Sequence, residues 1–323
     1  MSKLVTVFGA SGFVGRHTVR ALAKAGWRIR AVCRHPNLAN YLLPAGVPGQ
    51  IQLFKGNVRD DDAVTHALEG ADAVVNLTGA LFSHGEQNFE ALHVEAPQRI
   101  GRLARQAGIK TLVHLSAIGA DVEAVSSYAE SKGRGEKALR EEFPDAAILR
   151  PSIVFGPEDD FFNKFAWLAR LSPVLPLIGG GHTKFQPVFV GDVAAAILRC
   201  VADSATAGKT YELGGPSVYS FKELLQLILR ETGRKRLLVP VPFLLASIKA
   251  FFLQIPSLIL PIAPLLTVDQ VRLLETDIVV HPGALTLVDL DIAPDAVEAV
   301  VPSYLWRFRP KGQYQETAKA ISD

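Results

Sequence analysis

Tyr128 and Lys132 are residues of this chain whose types and spacing suggest chemistry. They lie four residues apart in a stretch with helical character, so the phenol and the ammonium share one helix face. A tyrosine with its ordinary pKa of about 10 is a poor base at neutral pH, but a fixed cation beside it favours the phenolate. Tyr128 can then exchange a proton with a substrate oxygen, and Ser116, after an apolar strand, can polarise a carbonyl. The same spacing is common on solvated helices, so its meaning depends on the surrounding elements.

The elements that must position these groups begin with a glycine-rich turn at residues 9–15. The turn follows the apolar run 4–8 and opens an amphipathic helix predicted to run to about Ala25. The first glycine lets the chain turn sharply, the second removes a side chain where a pyrophosphate must approach, and the third lets helix and strand pack closely. The order of strand, turn and helix predicts a dinucleotide site rather than an ordinary turn. Its predicted contacts are Gly9, Ser11, Gly12, Phe13, Val14, Gly15 and Arg16.

Arg34 follows the second predicted strand, residues 28–33, at the point where such folds bind the adenosine ribose. A carboxylate there would accept hydrogen bonds from the free 2′-hydroxyl of NAD, whereas an arginine can pair with the 2′-phosphate of NADP. Arg34, helped by Arg16, therefore favours NADPH. The alternative is a solvated surface arginine.

Short apolar runs at residues 51–54, 73–78, 111–115 and 146–150 predict further strands, with helical patterns between them. This alternation predicts an α/β fold built on a doubly wound parallel sheet, which binds ligands at the carboxyl ends of its strands. At the end of the third strand, Asn57 and Val58 are candidates for adenine contacts, or form a plain turn before an acid-capped helix. The fourth strand leaves by a small-residue surface along which a cofactor can pass. Its candidate contacts are Leu77, Thr78 and Gly79.

Composition excludes some functions. The net charge is +2 and lysines and arginines form no concentrated stripe, which argues against nucleic-acid binding. Cys33 and Cys200 form no metal-binding spacing with the eight histidines, so they are expected to be free thiols in a reducing compartment, and no metal site is expected. The glycine motif starts a few residues after Met1, which leads us to expect a cytosolic chain of bacterial type without a leader. No run of eighteen apolar residues occurs, so no transmembrane span is expected.

The chain resembles an extended or atypical short-chain dehydrogenase/reductase in four features taken together: the glycine spacing, Ser116, the Tyr128/Lys132 pair and Arg-Pro-Ser-Ile-Val-Phe-Gly at 150–156. The resemblance covers the chain up to about Arg230. It implies that Lys132 also hydrogen-bonds the nicotinamide ribose, and that Pro151 and Ile153 line the nicotinamide. It also implies a late strand and helix start at 187–194, and a strand at 211–215 and a helix from 220 in the substrate lobe.

A narrower resemblance is carried by residues 156–166, by the Gly-Gly-Gly turn at 179–181 and by residues 184–190. With the apolar, proline-rich tail, these stretches are similar to the NADPH-binding accessory subunit of respiratory complex I (NADH:ubiquinone oxidoreductase) and its bacterial relatives. This resemblance implies a tightly bound, structural NADPH without turnover, and core subunits near the quinone site and membrane arm as partners. It implies a peripheral location on the cytoplasmic face of a bacterial inner membrane.

One departure from the reductase pattern bears on catalysis. Active extended members offer two or three hydroxyl residues at the end of strand five, whereas this chain has Ser116-Ala117-Ile118. If Ala117 occupies the catalytic position, the carbonyl-polarising group is missing, and Tyr128 and Lys132 persist as nucleotide ligands. The alternative is a free-standing NADP-dependent reductase or epimerase that acts on a sugar nucleotide or an apolar carbonyl compound with Tyr128, Lys132 and Ser116.

The C-terminal third differs in composition from the rest. We expect a dinucleotide-binding domain at 1–155, with elements near 186–203 returning to it, and a smaller lobe at 156–323. Within the lobe, residues 237–266 are apolar and rich in proline, and prolines at 256, 261 and 264 are expected to cut helices below the roughly 20 residues of a span. This segment is a substrate lid, a lobe core, or a docking surface for a hydrophobic partner with lipid contact. The polar end, 306–323, is basic at its start.

Overall fold

The computed structural model describes residues 3–83, 85–259, 264 and 266–314. The strands are β1 (Leu4–Phe8), β2 (Arg28–Cys33), β3 (Ile51–Lys55), β4 (Ala73–Asn76), β5 (Thr111–Leu115), β6 (Ala147–Pro151), β7 (Val154–Phe155), β8 (Val174–Ile178), β9 (Lys184–Phe185), β10 (Val188–Phe189), β11 (Thr210–Leu213), β12 (Tyr219–Ser220) and β13 (Leu237–Val241). The helices are α1 (Phe13–Lys24), α2 (Asp61–Leu68), α3 (Ala96–Gln106), α4 (Ser127–Glu142), α5 (Phe161–Leu171), α6 (Val190–Ala202), α7 (Phe221–Glu231), α8 (Phe243–Ile259), α9 (Val268–Leu273), α10 (Val297–Val300) and α11 (Pro302–Leu305).

The chain forms two compact units. The first contains Met1–Pro151, Val190–Leu213 and His281–Ala293; the second contains Ser152–Phe189, Gly214–Val280 and Pro294–Asp323.

In the first unit, seven strands of the described chain form one parallel sheet in the order β11-β6-β5-β4-β1-β2-β3. Helices α2, α3 and α4 cover one face, where Leu68, Ile100 and Leu139 pack on sheet residues such as Phe8 and Leu112. Helices α1 and α6 pack against each other, and α6 lies on the strands. The apolar side chains on both faces of β1 and β4 explain why the sheet is buried between helices. The predicted doubly wound parallel sheet is confirmed.

The second unit is smaller and is built around aromatic side chains. Within its described residues, β7 pairs with β10, β8 with β13, and β9 with β12. Phe155, Phe162, Phe185 and Phe221 are fully buried in its core. Helix α7 begins with a capping box in which the Ser220 hydroxyl accepts a hydrogen bond from the N–H of Glu223.

Two sequence expectations differ from the structure. The strand at 211–215 was expected in the smaller lobe, but β11 pairs with β6 at the edge of the large sheet, where Tyr211 and Leu213 are buried. Local sequence does not encode which sheet a strand joins. Helix α8 has 17 residues and ends at Ile259, so it stays below the roughly 20 residues of a span as expected, but it continues past Pro256, because a proline removes one main-chain hydrogen bond and need not end a helix. No helix among the described residues is both long and apolar enough to cross a membrane.

Two expectations fall partly outside the described residues. The proposed docking segment 237–266 includes residues 260–263 and 265, and the polar end includes residues 315–323.

Candidate functional site

The glycine turn between β1 and α1 forms a close-fitting backbone cradle. Gly9 has φ +77°, a conformation that favours glycine, and its carbonyl accepts a hydrogen bond of 3.0 Å from the N–H of Gly12. A Cβ atom on Gly15 would lie 2.2 Å from the Gly9 oxygen and 2.6 Å from the Ala10 oxygen. Only glycine therefore allows α1 to start this close to β1, which directs the N-terminal N–H groups of the helix at a bound anion.

A groove with a cavity volume of about 200 Å³ runs along the carboxyl ends of β1 to β4 in the first unit. Nine of the residues predicted to contact a cofactor line it: Gly9, Ser11, Gly12, Arg34, Asn57, Val58, Leu77, Thr78 and Gly79. Sequence reasoning did not select six further lining residues: Val32, Cys33, Gly56, Arg59, Gln87 and Leu92. The groove has the place and the extended form that a dinucleotide needs in a parallel sheet.

The β3 end of the groove carries basic and amide groups. Arg34 is exposed directly after β2. Asn57 accepts a hydrogen bond of 3.1 Å from the main-chain N–H of Arg59, so its side chain also shapes the turn. The Arg59 guanidinium lies 2.7 Å from the Glu86 carboxylate. Val58 is buried in the sheet core while it also lines the groove.

Four of the predicted contacts in the glycine loop and α1 do not line the groove. Phe13 packs edge-on against His17 at 5.9 Å, and Val14 is half-buried. Arg16 places its guanidinium over the ring of Tyr41, 4.8 Å from the ring centre. These side chains and Gly15 are not among the lining residues of the described chain.

Tyr128 and Lys132 share one face of α4, as the spacing predicted. Tyr128 is half-buried, and its ring packs edge-on against Phe89 at 5.9 Å and His93 at 5.4 Å. Burial raises the pKa of Tyr128 to about 12. The structure thus gives a raised pKa where the sequence predicted that Lys132 would favour the phenolate, because burial removes water from around the phenol.

Lys132 is buried beside the exit of β4. Its Nζ donates a hydrogen bond of 3.2 Å to the Leu115 carbonyl and lies 3.4 Å from the position of a Cβ on Gly79. Burial lowers the pKa of Lys132 to about 8, while Glu136 opposes this shift. The ammonium thus lies next to a groove residue, where it can donate to the hydroxyls of a ribose.

Ser116 is 4% exposed, and its hydroxyl is sealed from solvent without a hydrogen-bond partner among the described residues. Its main-chain N–H bonds the Leu149 carbonyl at 2.7 Å. Ser116 is not among the described residues that line the groove. The burial of Ser116 does not favour its predicted role, which is to polarise a substrate carbonyl.

Pro151 and Ile153 lie in different units. Pro151 ends β6, and its carbonyl accepts a hydrogen bond of 3.0 Å from the N–H of Ile118. Ile153 is half-buried against the aromatic core of the second unit.

His93 is a site residue that sequence reasoning missed. It lies in one turn of π-helix, Glu90–Glu95, and is 1% exposed. Its Nε2 accepts a hydrogen bond of 3.0 Å from the N–H of Ala80, which fixes the proton on Nδ1, 2.8 Å from the Ser131 hydroxyl. Burial and the nearby Lys132 lower the pKa of His93 to about 2. The neutral ring therefore ties the exit of β4 to α4, and no local motif signals this role.

A second histidine is also buried. His114 on β5 accepts a hydrogen bond of 3.1 Å at Nδ1 from the amide of Asn76 on β4. The Asn76 oxygen in turn accepts from the N–H of Thr78 at 3.1 Å, which sets the amide orientation. Burial and Lys132 lower the pKa of His114 to about 3. These bonds hold the start of the Thr78–Gly79 turn in a fixed position.

Helix α4 is fixed to the sheet by a buried ionic network. Arg150 on β6 binds Glu136 through two hydrogen bonds of 2.9 and 2.7 Å, and its guanidinium lies 3.8 Å from Glu212. Glu212 also accepts from the N–H of His281 at 2.8 Å. These contacts raise the pKa of Arg150, so the cation persists, and they keep Tyr128 and Lys132 in register with the strand ends.

The groove fits a nicotinamide dinucleotide. Gly9 and Gly12 leave room for a pyrophosphate at the start of α1, where side chains would fill the cradle. Arg34 can hold a 2′-phosphate at the far end, and Lys132 lies beside the opposite end. Such a cofactor supplies a hydride carrier when bound. Among the described residues, no cluster of three or more histidine, cysteine or acidic side chains has the geometry to hold a metal ion.

Comparison with known proteins places these features in a family. The family model described as "NAD dependent epimerase/dehydratase family" matches residues 5–214. Subunit 9 of the mitochondrial NADH dehydrogenase [ubiquinone] 1 alpha subcomplex from Arabidopsis thaliana is 34% identical over 96% of this chain and 79% of the relative. The chain belongs to the subunit 9 family, within the epimerase/dehydratase family. The resemblance drawn from the sequence is confirmed.

Other relatives agree with this assignment. Subunit 9 from Mus musculus is 32% identical over 95% of this chain and 80% of the relative. A "Ceramide reductase" from Caulobacter vibrioides is 30% identical over 60% of each chain. This chain is thus also similar, over a shorter stretch, to a protein named as an enzyme.

Solved structures show the same fold as this subunit 9 family member. The NADPH-dependent quinone oxidoreductase QOR2 from Escherichia coli, complexed with NADPH, superposes with a TM-score of 0.74 at 20% identity, over 94% of this chain and 99% of that one. The dTDP-glucose 4,6-dehydratase DesIV from Streptomyces venezuelae, with NAD bound, gives 0.62 at 23% identity, over 74% and 84%. These likenesses support the fold, which is one that binds NAD(P).

Proposed function

We propose that this protein is a non-catalytic accessory subunit of respiratory complex I that holds NADPH tightly as a structural cofactor near the quinone-reducing module. The similarity to subunit 9 over nearly the whole chain supports the assignment to complex I. The partners are then core subunits near the quinone site and the membrane arm.

The main support for this proposal is a contrast between the residues that can bind a nucleotide and the residues that would have to catalyse its turnover. The glycine cradle and Arg34 border an open groove, whereas the Ser116 hydroxyl is sealed from solvent. Burial also raises the pKa of Tyr128 to about 12, so the phenol holds its proton at neutral pH. The raised pKa makes the phenol a weaker proton donor and disfavours the phenolate that the reverse reaction needs as a base, so this arrangement favours holding a nucleotide over turning it over.

NADPH is assigned in preference to NADH because Arg34 follows β2, where a carboxylate would select the 2′-hydroxyl. The residues proposed to hold it are the groove-lining set named above together with Lys132. The bound nucleotide is expected to exchange slowly, because many residues contact it and because the buried histidines fix the exit of β4.

Helix α8 supports a docking role for the proline-rich segment. Its Ala246 and Ala250 are buried against Ile178 and Val271, whereas Leu244, Leu245, Ile248, Phe251 and Phe252 are 49–73% exposed. Exposed apolar patches of this kind mark partner or membrane surfaces. We propose that α8 contacts the complex at the bilayer edge, with lipid contact, on the cytoplasmic face of a bacterial inner membrane.

Nucleotide release tests the cofactor role. The nucleotide is released from the native protein with acid or alkali, identified by mass spectrometry, and followed for exchange with labelled NADPH. Stoichiometric NADPH that does not exchange over hours is the expected result. Rapid exchange together with turnover of a carbonyl substrate contradicts it and establishes a free-standing NADP-dependent reductase, the function that the similarity to a ceramide reductase would favour.

Gel filtration of a membrane extract in mild detergent tests the assembly. The protein is expected to elute with a very large complex that carries NADH dehydrogenase activity. Changing Phe251 and Phe252 together to serine should release it from that complex, whereas the control Val218→Ser, at another exposed apolar residue of the second unit, should not. Elution of the unchanged protein as a small oligomer contradicts the proposal.

A further inference from the structure

The segment after β2 returns the chain to the glycine loop and places an aromatic ring there. Residues Pro36–Leu38 and Asn40–Ala45 form two 3-10 helices, and the second lies against α1. Ala39 and Leu42 are buried on either side of Tyr41, which is itself 47% exposed. The backbone at Tyr41 is therefore anchored, so its side chain projects from a fixed point.

Tyr41 contacts both the loop and a cation on α1. Its hydroxyl donates a hydrogen bond of 2.6 Å to the carbonyl of Ser11, a residue that lines the groove. Its ring lies under the Arg16 guanidinium, 4.8 Å from ring centre to guanidinium carbon. The main-chain N–H of Arg16 bonds the Gly12 carbonyl at 3.1 Å, which fixes the base of this side chain as well.

We propose that Tyr41 is a positioning residue for the 2′-phosphate of NADPH, because it holds the Arg16 guanidinium over its ring while its hydroxyl bonds Ser11, a residue that lines the groove. An aromatic ring contacts a guanidinium on its face, whereas phosphate oxygens bind the N–H edge, so one arginine makes both contacts. The hydroxyl of Tyr41 has a separate task, which is to hold the Ser11 carbonyl. This inference rests on the proposed function, because it requires that NADPH is the ligand.

Because the ring and the hydroxyl have separate tasks, two substitutions of Tyr41 should have different effects. Tyr41→Leu removes the ring and frees Arg16, so it should lower the ratio of NADP(H) to NAD(H) in the purified protein about fivefold to tenfold. Tyr41→Phe keeps the ring and removes only the bond to Ser11, so it should leave that ratio within about twofold of the unchanged protein. Both nucleotides are released and quantified by mass spectrometry.

A double-variant comparison tests whether Tyr41 acts through Arg16. Arg16→Gln should lower the ratio at least as much as Tyr41→Leu, and adding Tyr41→Leu to it should lower the ratio no further. Equal loss of both nucleotides in Tyr41→Leu, or additive effects in the double variant, overturns the inference. If the unchanged protein carries mainly NAD(H), the proposed NADPH function fails first, and the inference fails with it.

Discussion

The glycine-loop end of the groove and the Tyr128 end differ in how far their polar groups are exposed to solvent. At the glycine loop, Gly9, Ser11 and Gly12 line an open groove, as does Arg34. At the other end, Ser116, His93 and His114 are 1–4% exposed. Binding a dinucleotide needs donors that meet solvent before the ligand arrives, whereas acid–base chemistry needs a group that both reaches substrate and titrates near neutral pH. The first requirement is met here. At the Tyr128 end, burial lowers the pKa of Lys132 to about 8 and raises that of Tyr128 to about 12, so the lysine and not the phenol titrates near neutral pH.

The largest effect should come from closing the cradle. Gly15→Ala places a Cβ 2.2 Å from the Gly9 oxygen, so the backbone of the loop must move. We expect loss of bound nucleotide and a fall of about 3 kcal/mol in the free energy of unfolding. Nucleotide content and urea unfolding measure these changes.

Gly26→Ala is the control for this variant. It follows the same helix, has φ +85°, and would meet no atom within 4 Å. It should cost about 1 kcal/mol of stability and leave the nucleotide content unchanged. Full nucleotide content in Gly15→Ala would show that the cradle is not required for binding.

Reversing the charge at the adenosine end should have the next largest effect. Arg34→Glu removes a charge-assisted contact and adds repulsion, so the affinity for NADPH should fall about 100-fold, and that for NADH about threefold or less. Binding titrations with both nucleotides measure the difference. Arg28→Glu, on the same strand at its other end, should change neither affinity. Equal losses for NADPH and NADH in Arg34→Glu would exclude a role in binding the 2′-phosphate.

The buried histidines predict a dependence on pH. In the folded chain the pKa of His93 is about 2 and that of His114 about 3, against about 6.5 when unfolded. Below pH 6.5 the unfolded chain therefore takes up protons that the folded chain does not. The stability that these two groups contribute is complete above pH 6.5. It falls by about 1.4 kcal/mol per pH unit for each histidine as the pH decreases.

His93→Gln tests this dependence. The slope of unfolding free energy against pH between 5 and 6 should decrease by about 1.4 kcal/mol per pH unit, because one of the two groups is gone. Between pH 7.5 and 8.5 the slopes of the variant and the unchanged protein should agree. An unchanged slope at low pH would mean that His93 takes up a proton in the folded state, and that the Tyr128 end is less closed than its burial indicates.

The sequence predicts the parts of the site that depend on neighbouring residues. The glycine turn, Arg34 after β2 and the spacing of Tyr128 and Lys132 are local patterns, and the structure has them on the expected elements. Helix and strand ends differ from expectation by one or two residues, as expected for signals that weaken at element ends.

The features that decide between binding and turnover depend on contacts between distant residues. His93 bonds Ser131, 38 positions away, and Arg150 on β6 bonds Glu136 on α4. Ser116 is also held by a distant residue, because its main-chain N–H bonds the carbonyl of Leu149 on β6. The pKa of Tyr128 was expected to follow its spacing from Lys132, but it follows burial, which is a property of the folded unit.

The smallest effect should come from Tyr128→Phe, and this small effect separates the two functions most clearly. The phenyl ring keeps the edge-on contacts with Phe89 and His93, so nucleotide content and assembly into the large complex should be retained, with stability within about 1 kcal/mol. Tyr128→Ala, which removes the ring, should cost about 3 kcal/mol and serves as the matched comparison. A reductase that uses Tyr128 as its proton donor would lose about 100-fold or more of its activity in Tyr128→Phe. Such a loss for any carbonyl substrate would show that the buried end of the groove opens for chemistry.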